Sequence, residues 1–216
     1  EDAPKDWRVI FNGLNADFKK PTKEQSRKLL SSVKIDPEKP YVFHLGSNLV
    51  RKNRKLILET VYSLRQNWKG KIVFAGPPLS ADLLKEINRL NLEHRVITIE
   101  NPNHDVLCAL YHRAHAFLFP SLSEGFGWPI IEAQACEVPV ITSQLNPMME
   151  VAGEGALFAS PHDPEVFAQC ILRLNDSTLR KNLMIAGMKN CERFTTENTL
   201  ARYEAFFIEV NSNDSA

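Results

Sequence analysis

The chain has 216 residues, a length that suits one sizeable α/β domain with its own hydrophobic core. Lysine plus arginine and aspartate plus glutamate number 26 each, so the formal charge is zero; this argues against a nucleic-acid binder that works by neutralising phosphates, although residues 51–55 form one local basic cluster. No apolar run is long enough to span a bilayer, residues 1–4 do not read as a signal peptide, and Cys108, Cys136, Cys170 and Cys191 have neither zinc-site nor redox-pair spacing, which together predict a cytoplasmic protein with reduced thiols.

In chain order, residues 8–12 (RVIFN) read as a short strand before an Asn12-Gly13 turn, and 21–32 as a surface helix. After Pro37 and Pro40 an alternation begins. Residues 41–46 (YVFHLG) are a continuous apolar run ending in glycine, the pattern of a buried parallel strand. A helix over 54–68 follows, with Leu56, Ile57, Thr60, Val61 and Leu64 as its apolar stripe. Strand 71–76 leads to helix 80–92, with Leu83, Leu84, Ile87 and Leu90 inward, then strand 95–99 and helix 103–114, entered through the capping sequence Asn101-Pro102-Asn103. Strand 115–119, loop 121–127 and helix 129–136 come next, then strands at 138–142 and 155–159 and helices at 163–174, 177–191 and 195–210, with 211–216 polar and frayed. Such alternation demands parallel pairing and right-handed crossovers, hence a Rossmann-like doubly wound parallel sheet of about six strands with flanking helices, in a single domain. His44, Trp7 and Trp68 read as packing residues, and His104, His112 and His115 as capping or surface residues.

In an open α/β sheet ligands bind outside the carboxyl ends of the strands, so the loops there carry the information. The strongest is 120–132, PSLSEGFGWPIIE. Proline is favoured at the first helical position, so the helix is expected to start near Pro129 with Gly127 and Trp128 just outside it. Gly125 and Gly127 permit close backbone approach and unusual dihedrals. The amides of Trp128, Ile130 and Ile131 are expected to be free at this helix N-terminus, an anion site. Glu132, about one turn in, suits a hydroxyl pair such as a ribose diol, and Glu124 at the loop apex a sugar. Taken alone, the pattern also fits an ordinary turn whose glycines serve only the turn and whose Glu132 is favoured by the helix dipole. A second segment, 46–55 (GSNLVRKNRK), puts basic residues at a helix start, where they oppose the dipole; that local conflict favours a ligand over a merely solvated face. A third, 99–105 (IENPNHD), fits a capping loop equally well.

The stretch PSLSEGFGWPIIEAQACEVPVITS closely resembles the signature of glycosyltransferase family 4 and its GT-B relatives: Glu-Gly-Phe-Gly, a hydrophobic residue, proline, a second glutamate at the Glu124–Glu132 spacing, then Pro-Val-Ile on the next strand. VIFNGL at 9–14 is similar to the segment that opens the C-terminal domain of such enzymes, and FTTENTLARY at 194–203 to their closing helix, so nearly the whole chain is covered. The resemblance implies the C-terminal donor domain of a retaining glycosyltransferase. It implies that Glu132 binds the ribose hydroxyls and Glu124 the donor sugar. Gly125, Phe126 and Gly127 would line the sugar site, and the amides around Trp128, Pro129 and Ile130 would receive the diphosphate. After Gly46 the family has an arginine and, further on, a lysine that neutralise the diphosphate. Lys52 matches the lysine, but Ser47 stands in place of the arginine, and Arg51 is the available substitute, since a guanidinium grips phosphate oxygens in pairs. Ser47 and Asn48 complete this loop, while Ile99, Glu100 and Asn101 correspond to the segment that packs the base. Glu150 occupies a region where family members often carry a glutamate near the crevice.

The implied substrate is a nucleoside diphosphate sugar, UDP-linked by preference and GDP-linked as the alternative, and the implied acceptor a saccharide or a lipid-linked oligosaccharide in polysaccharide synthesis. Catalysis would be electrostatic, with Glu124, Lys52 and Arg51 as its main groups. No Asp-x-Asp motif is present, so neither a metal clamp nor any other cofactor is expected. An acceptor-binding N-terminal domain is the expected partner, and peripheral membrane association belongs to the full-length enzyme. Three rivals fit less well. The Glu-Gly-Phe-Gly block argues against a nucleotide-sugar epimerase of the same architecture. The basic residues after the first strand argue against a flavodoxin-like signalling receiver, and the absence of Gly-x-Gly-x-x-Gly there argues against a dinucleotide-dependent oxidoreductase; besides the epimerase, a non-catalytic nucleotide-binding module is the alternative to a transferase.

Overall fold

The computed structural model describes residues 8–14 and 16–213. Strands β1 (Tyr41–Leu45), β2 (Lys71–Gly76), β3 (Val96–Glu100), β4 (Ala116–Phe119), β5 (Val140–Ser143) and β6 (Ala156–Ala159) form one parallel sheet in the order β3-β2-β1-β4-β5-β6. Between them run α2 (Arg54–Ser63), α3 (Ala81–Arg89), α4 (His104–Arg113), α5 (Trp128–Ala135) and the short α6 (Met148–Ala152). Helix α1 (Lys23–Ser32) precedes the sheet, and α7 (Pro164–Arg173), α8 (Ser177–Cys191) and α9 (Thr196–Asn213) follow it. Side-chain alternation divides the core into two layers. Tyr41, Phe43, Val73, Ala75, Phe117 and Phe119 point to the layer covered by α1, α4 and α5, and Val42, Ile72, Phe74 and Leu118 to the layer covered by α2, α3 and α7. Polar side chains start the helices: Thr22 and Gln25 close a capping box on α1, and Ser80, Asn103, Asp163 and Asp176 accept amide hydrogens at α3, α4, α7 and α8.

The chain leaves β1 outward to β2 and β3, then returns to lay β4 on the other side of β1. The strand order therefore reverses between β1 and β4, and the crevice for a ligand opens outside their carboxyl ends.

Several expectations are corrected. Residues 8–12 form no strand: Phe11 packs its ring 5.7 Å from Phe126 and 5.8 Å from Phe194, and Leu14 N–H donates to the Phe194 carbonyl, so this segment is held by side chains and the chain's end rather than by a sheet edge. Helix α2 stops at Ser63 because the Arg95 guanidinium takes the carbonyls of Val61, Trp68 and Gly70 and Arg65 N–H turns back to Tyr62. Leu84 is 50% exposed, off the α3 stripe set by Leu83 and Ile87. Helix α5 starts one residue early, with Pro129 as its second residue, and α6, which sequence periodicity is too short to show, carries Glu150 on its exposed side. Helix α9 continues to Asn213, so residues 211–213 are helical; 214–216, Trp7 and residues 1–4 lie outside the described residues. All four cysteines are free thiols, and among the described residues no helix is long and apolar enough to cross a membrane.

Candidate functional site

The loop after β1 is anchored from below. Arg54, the first residue of α2, is buried; its guanidinium donates to Asn48 Oδ1 at 2.8 Å, to the Gly46 carbonyl and to the Ala75 carbonyl at 3.2 Å. Burial pulls its pKa down to about 10 and leaves it a cation at neutral pH. Asn48 Nδ2 in turn donates to the Pro78 carbonyl at 2.7 Å, so both ends of that side chain are committed to protein partners. Ser47 Oγ accepts from Leu49 N–H at 3.5 Å. His44, fully buried at the end of β1, directs Nδ1 at the Leu118 carbonyl at 2.9 Å; burial drives its pKa down to about 3, so the ring is neutral and Nδ1 carries the proton.

A short 3₁₀ turn, Val50–Lys52, then brings the basic cluster against the loop after β4. Lys52 is 9% exposed; its Nζ lies 2.6 Å from Glu124 Oε1 and 4.8 Å from the Phe119 ring centre. Arg51 pairs with Glu124 Oε2 and donates to the Ser123 carbonyl at 3.2 Å, and Leu122 N–H donates to the Arg51 carbonyl at 2.8 Å. Asn53, held at φ +52, pins the same junction through the Pro120 and Pro161 carbonyls. Sequence reasoning treats Arg51, Lys52 and Glu124 as separate ligand-binding groups; the structure joins them into one ion cluster of two cations and one carboxylate, with a net positive charge.

Beyond Glu124, Gly125 is exposed, and a methyl group built there meets nothing within 4 Å, so the loop borders open space. Gly127 is needed for a different reason: it caps α5 at φ +109. The Phe126 ring is taken up by Phe11, Trp128 and Phe194, so its side chain serves the loop's own packing. The expected row of free amides is shorter than the sequence suggests. Pro129 has no N–H, and the Ile130 amide donates to the Gly127 carbonyl at 2.9 Å, closing a turn. The Trp128 amide has no partner among the described residues.

Glu132 is 7% exposed on α5, and Tyr111 of α4 donates its hydroxyl to Oε2 at 2.9 Å. Burial pushes its carboxyl pKa up, opposed first by the Tyr111 hydrogen bond and then by the neighbouring His104 and Lys52 side chains. The third predicted segment is further out. Asn101, at φ +44, donates its amide to the Gly76 carbonyl at 3.3 Å, Ile99 is half-buried and Glu100 exposed at the end of edge strand β3. Among the described residues no ion pair or hydrogen bond links these three to residues 46–55 or 120–132. Sequence reasoning missed Arg54, Asn53 and Tyr111. For Tyr111 a signal existed, since a phenol on a helix's inward face needs a partner for its O–H. No group of three or more His, Cys, Asp or Glu among the described residues is placed to hold a metal ion.

The family model for glycosyl transferases group 1 matches residues 25–190. O-antigen chain mannosyltransferase B of Escherichia coli is 39% identical over 90 residues, 41% of this chain and 24% of that protein. O-antigen chain mannosyltransferase RfbU of Salmonella typhimurium is 27% identical over 182 residues, 82% of this chain and 48% of that protein, so the chain spans half or less of these relatives' length. Among solved structures, Alr3699/HepE of Anabaena in complex with UDP and glucose superposes with a TM-score of 0.79 at 20% identity, over 93% of this chain and 56% of that one. The chain belongs to the glycosyl transferases group 1 family.

Proposed function

We propose that the chain is the donor-nucleotide half of a retaining hexosyltransferase of GT-B architecture, that it binds a nucleoside diphosphate sugar, UDP-linked by preference, and that a preceding domain supplies the acceptor site. The observation that carries this is the net-positive Arg51–Lys52–Glu124 cluster at the point where the strand order reverses. In this reading the diphosphate sits against Lys52, Arg51 and the Trp128 amide, Glu132 accepts the ribose hydroxyls, Glu124 meets the sugar, and the base lies toward Ile99, Glu100 and Asn101. The UDP preference draws support from the UDP-bound neighbour, and the saccharide acceptor from the relatives named for O-antigen chains. The second domain accounts for the part of the relatives' length that this chain does not span.

The reaction breaks the bond between the sugar's anomeric carbon and the diphosphate and forms one to an acceptor hydroxyl oxygen. For retention the acceptor enters on the face the diphosphate leaves, so its proton passes to a departing phosphate oxygen. Negative charge gathers on that diphosphate in the transition state, and cations already held in place stabilise it without reorganising.

Two experiments test the assignment. Calorimetric titration with UDP, GDP and ADP should show binding of one diphosphate and little transferase turnover by the chain alone, with Glu132→Ala weakening affinity at least about tenfold through loss of charge-assisted hydrogen bonds. Equal binding by wild type and Glu132→Ala would sink the ribose assignment. Gly125→Ala, whose new methyl enters open space, should leave Tm almost unchanged yet weaken the nucleotide sugar relative to the bare nucleotide. If both ligands respond alike, the sugar does not lie there.

A further inference from the structure

Tyr111 is completely buried, and its ring is fixed by edge-on contacts to Phe43 and Phe117, at 5.0 Å each, and to Phe18 at 6.3 Å. With the ring locked, the hydroxyl has one direction to point, and there it donates to Glu132 Oε2 at 2.9 Å. The other carboxylate oxygen, Oε1, has no partner among the described residues, yet it is not one of the buried polar atoms sealed from solvent without a hydrogen bond. One oxygen is thus tied inward to a rigid element and the other is left available.

We propose that Tyr111 is a positioning residue of the donor site: its hydroxyl fixes the Glu132 carboxylate so that Oε1 is held for the ribose hydroxyls before the nucleotide arrives. This rests on Glu132 being a nucleotide-binding residue, as assigned above. A glutamate without the tether would lose side-chain freedom at the moment of binding, and that cost would weaken the complex. The tether also bears on ionisation, because a ribose diol is best met by a carboxylate that only accepts. Burial lifts the Glu132 pKa; Tyr111 and His104 from α4 and Lys52 from the turn after β1 pull it back, while Cys136, the residue capping α5, is a neutral thiol whose own pKa is raised by its hydrogen bond with Cys108 and by burial.

A core hydroxyl that merely satisfies itself would produce the same distance, so the test must separate the two roles. Tyr111→Phe keeps the ring and removes only the O–H. UDP affinity is expected to fall about tenfold in this variant, the scale of one charge-assisted hydrogen bond, but less than twofold when the substitution is made in a Glu132→Ala background. Thermal denaturation gives a second readout. A carboxyl whose folded pKa is raised contributes stability that is lost as pH rises through that pKa, and removing the hydroxyl raises it further. The Tm gap between wild type and Tyr111→Phe should therefore be widest near neutral pH and close as pH falls; in a Glu132→Gln background it should not vary with pH. An equal affinity loss in both backgrounds, or wild-type behaviour of Tyr111→Phe, overturns the proposal while leaving the Glu132 assignment standing. If wild type binds no diphosphate, or Glu132→Ala binds as wild type, the donor-site assignment fails and this falls with it. Should Tyr111→Phe not fold, the Tyr111 ring resonances of the wild-type chain, followed by NMR, decide the matter: they should shift on adding UDP, and their indifference would overturn the positioning role.

Discussion

Lys52→Ala should bind UDP roughly 10- to 100-fold more weakly, with the loss concentrated on the diphosphate, since a hydrogen bond to a charged group is worth about 1.5–3 kcal/mol. Lys52 is nearly buried, and Nζ is held between Glu124 Oε1 and the Phe119 ring, so its charge is screened far less than that of an exposed lysine. Removing it leaves Arg51 facing Glu124 alone and cancels the cluster's net charge. A ladder of ligands separates this electrostatic role from a structural one. Wild type should gain affinity steeply from uridine to UMP to UDP, and Lys52→Ala should flatten that gain. Parallel losses for uridine and UDP would mean that Lys52 only packs the Glu124 loop, and the diphosphate assignment would go with it. Because the interaction is ionic, the difference between the two proteins should also shrink as salt is raised.

The sheet was legible because its signals are local. Continuous apolar runs such as YVFHL, interrupted by amphipathic stretches, leave little choice but parallel strands with crossover helices, and the register of β1 on β2 follows that pattern residue by residue. Boundaries failed where a distant residue decided them, as when Arg95 captures the Val61 carbonyl inside α2 together with that of Gly70 beyond it, and α2 ends early. The candidate site divides the same way. Glu124 and Gly127 stand out in sequence because a loop and a cap impose their spacing, and Glu132 because it follows one turn into α5, as its fifth residue. The pairing of Glu124 with Arg51 and Lys52 joins positions 72 and 73 residues apart, and no local pattern records it. The Ile130 amide shows the opposite error: a helix start promises free N–H groups, but the tight turn at Gly127 consumes one of them. Asn48 reads as a ligand contact in sequence, yet both ends of its side chain hold the loop in place.

That loop depends on a glycine which no motif singles out. Gly76 ends β2 at φ +126, a conformation that side-chain-bearing residues adopt only with strain, and a methyl group there would lie 2.4 Å from the Gly46 carbonyl oxygen. The Gly46 oxygen is the acceptor that Arg54 grips, and the Gly76 carbonyl receives the Asn101 amide, so the exits of β1, β2 and β3 converge on this residue. Gly76→Ala should cost roughly 2–4 kcal/mol, combining backbone strain with the displacement of a backbone oxygen that has little room to move. For a domain of this size that corresponds to a fall in Tm of about 5–15 °C. Gly125→Ala is the matched control, because its methyl meets no neighbour and should leave Tm within a degree or two. A Gly76→Ala protein as stable as the control would show that β2 relaxes at its end. The same substitution should also weaken UDP at temperatures where the protein is fully folded, because moving the Gly46 carbonyl loosens Arg54 from Asn48 and unsettles the turn that delivers Arg51 and Lys52. Lost stability with undiminished affinity would mean that this turn is held chiefly by Asn53 through the Pro120 and Pro161 carbonyls, and not from the sheet below.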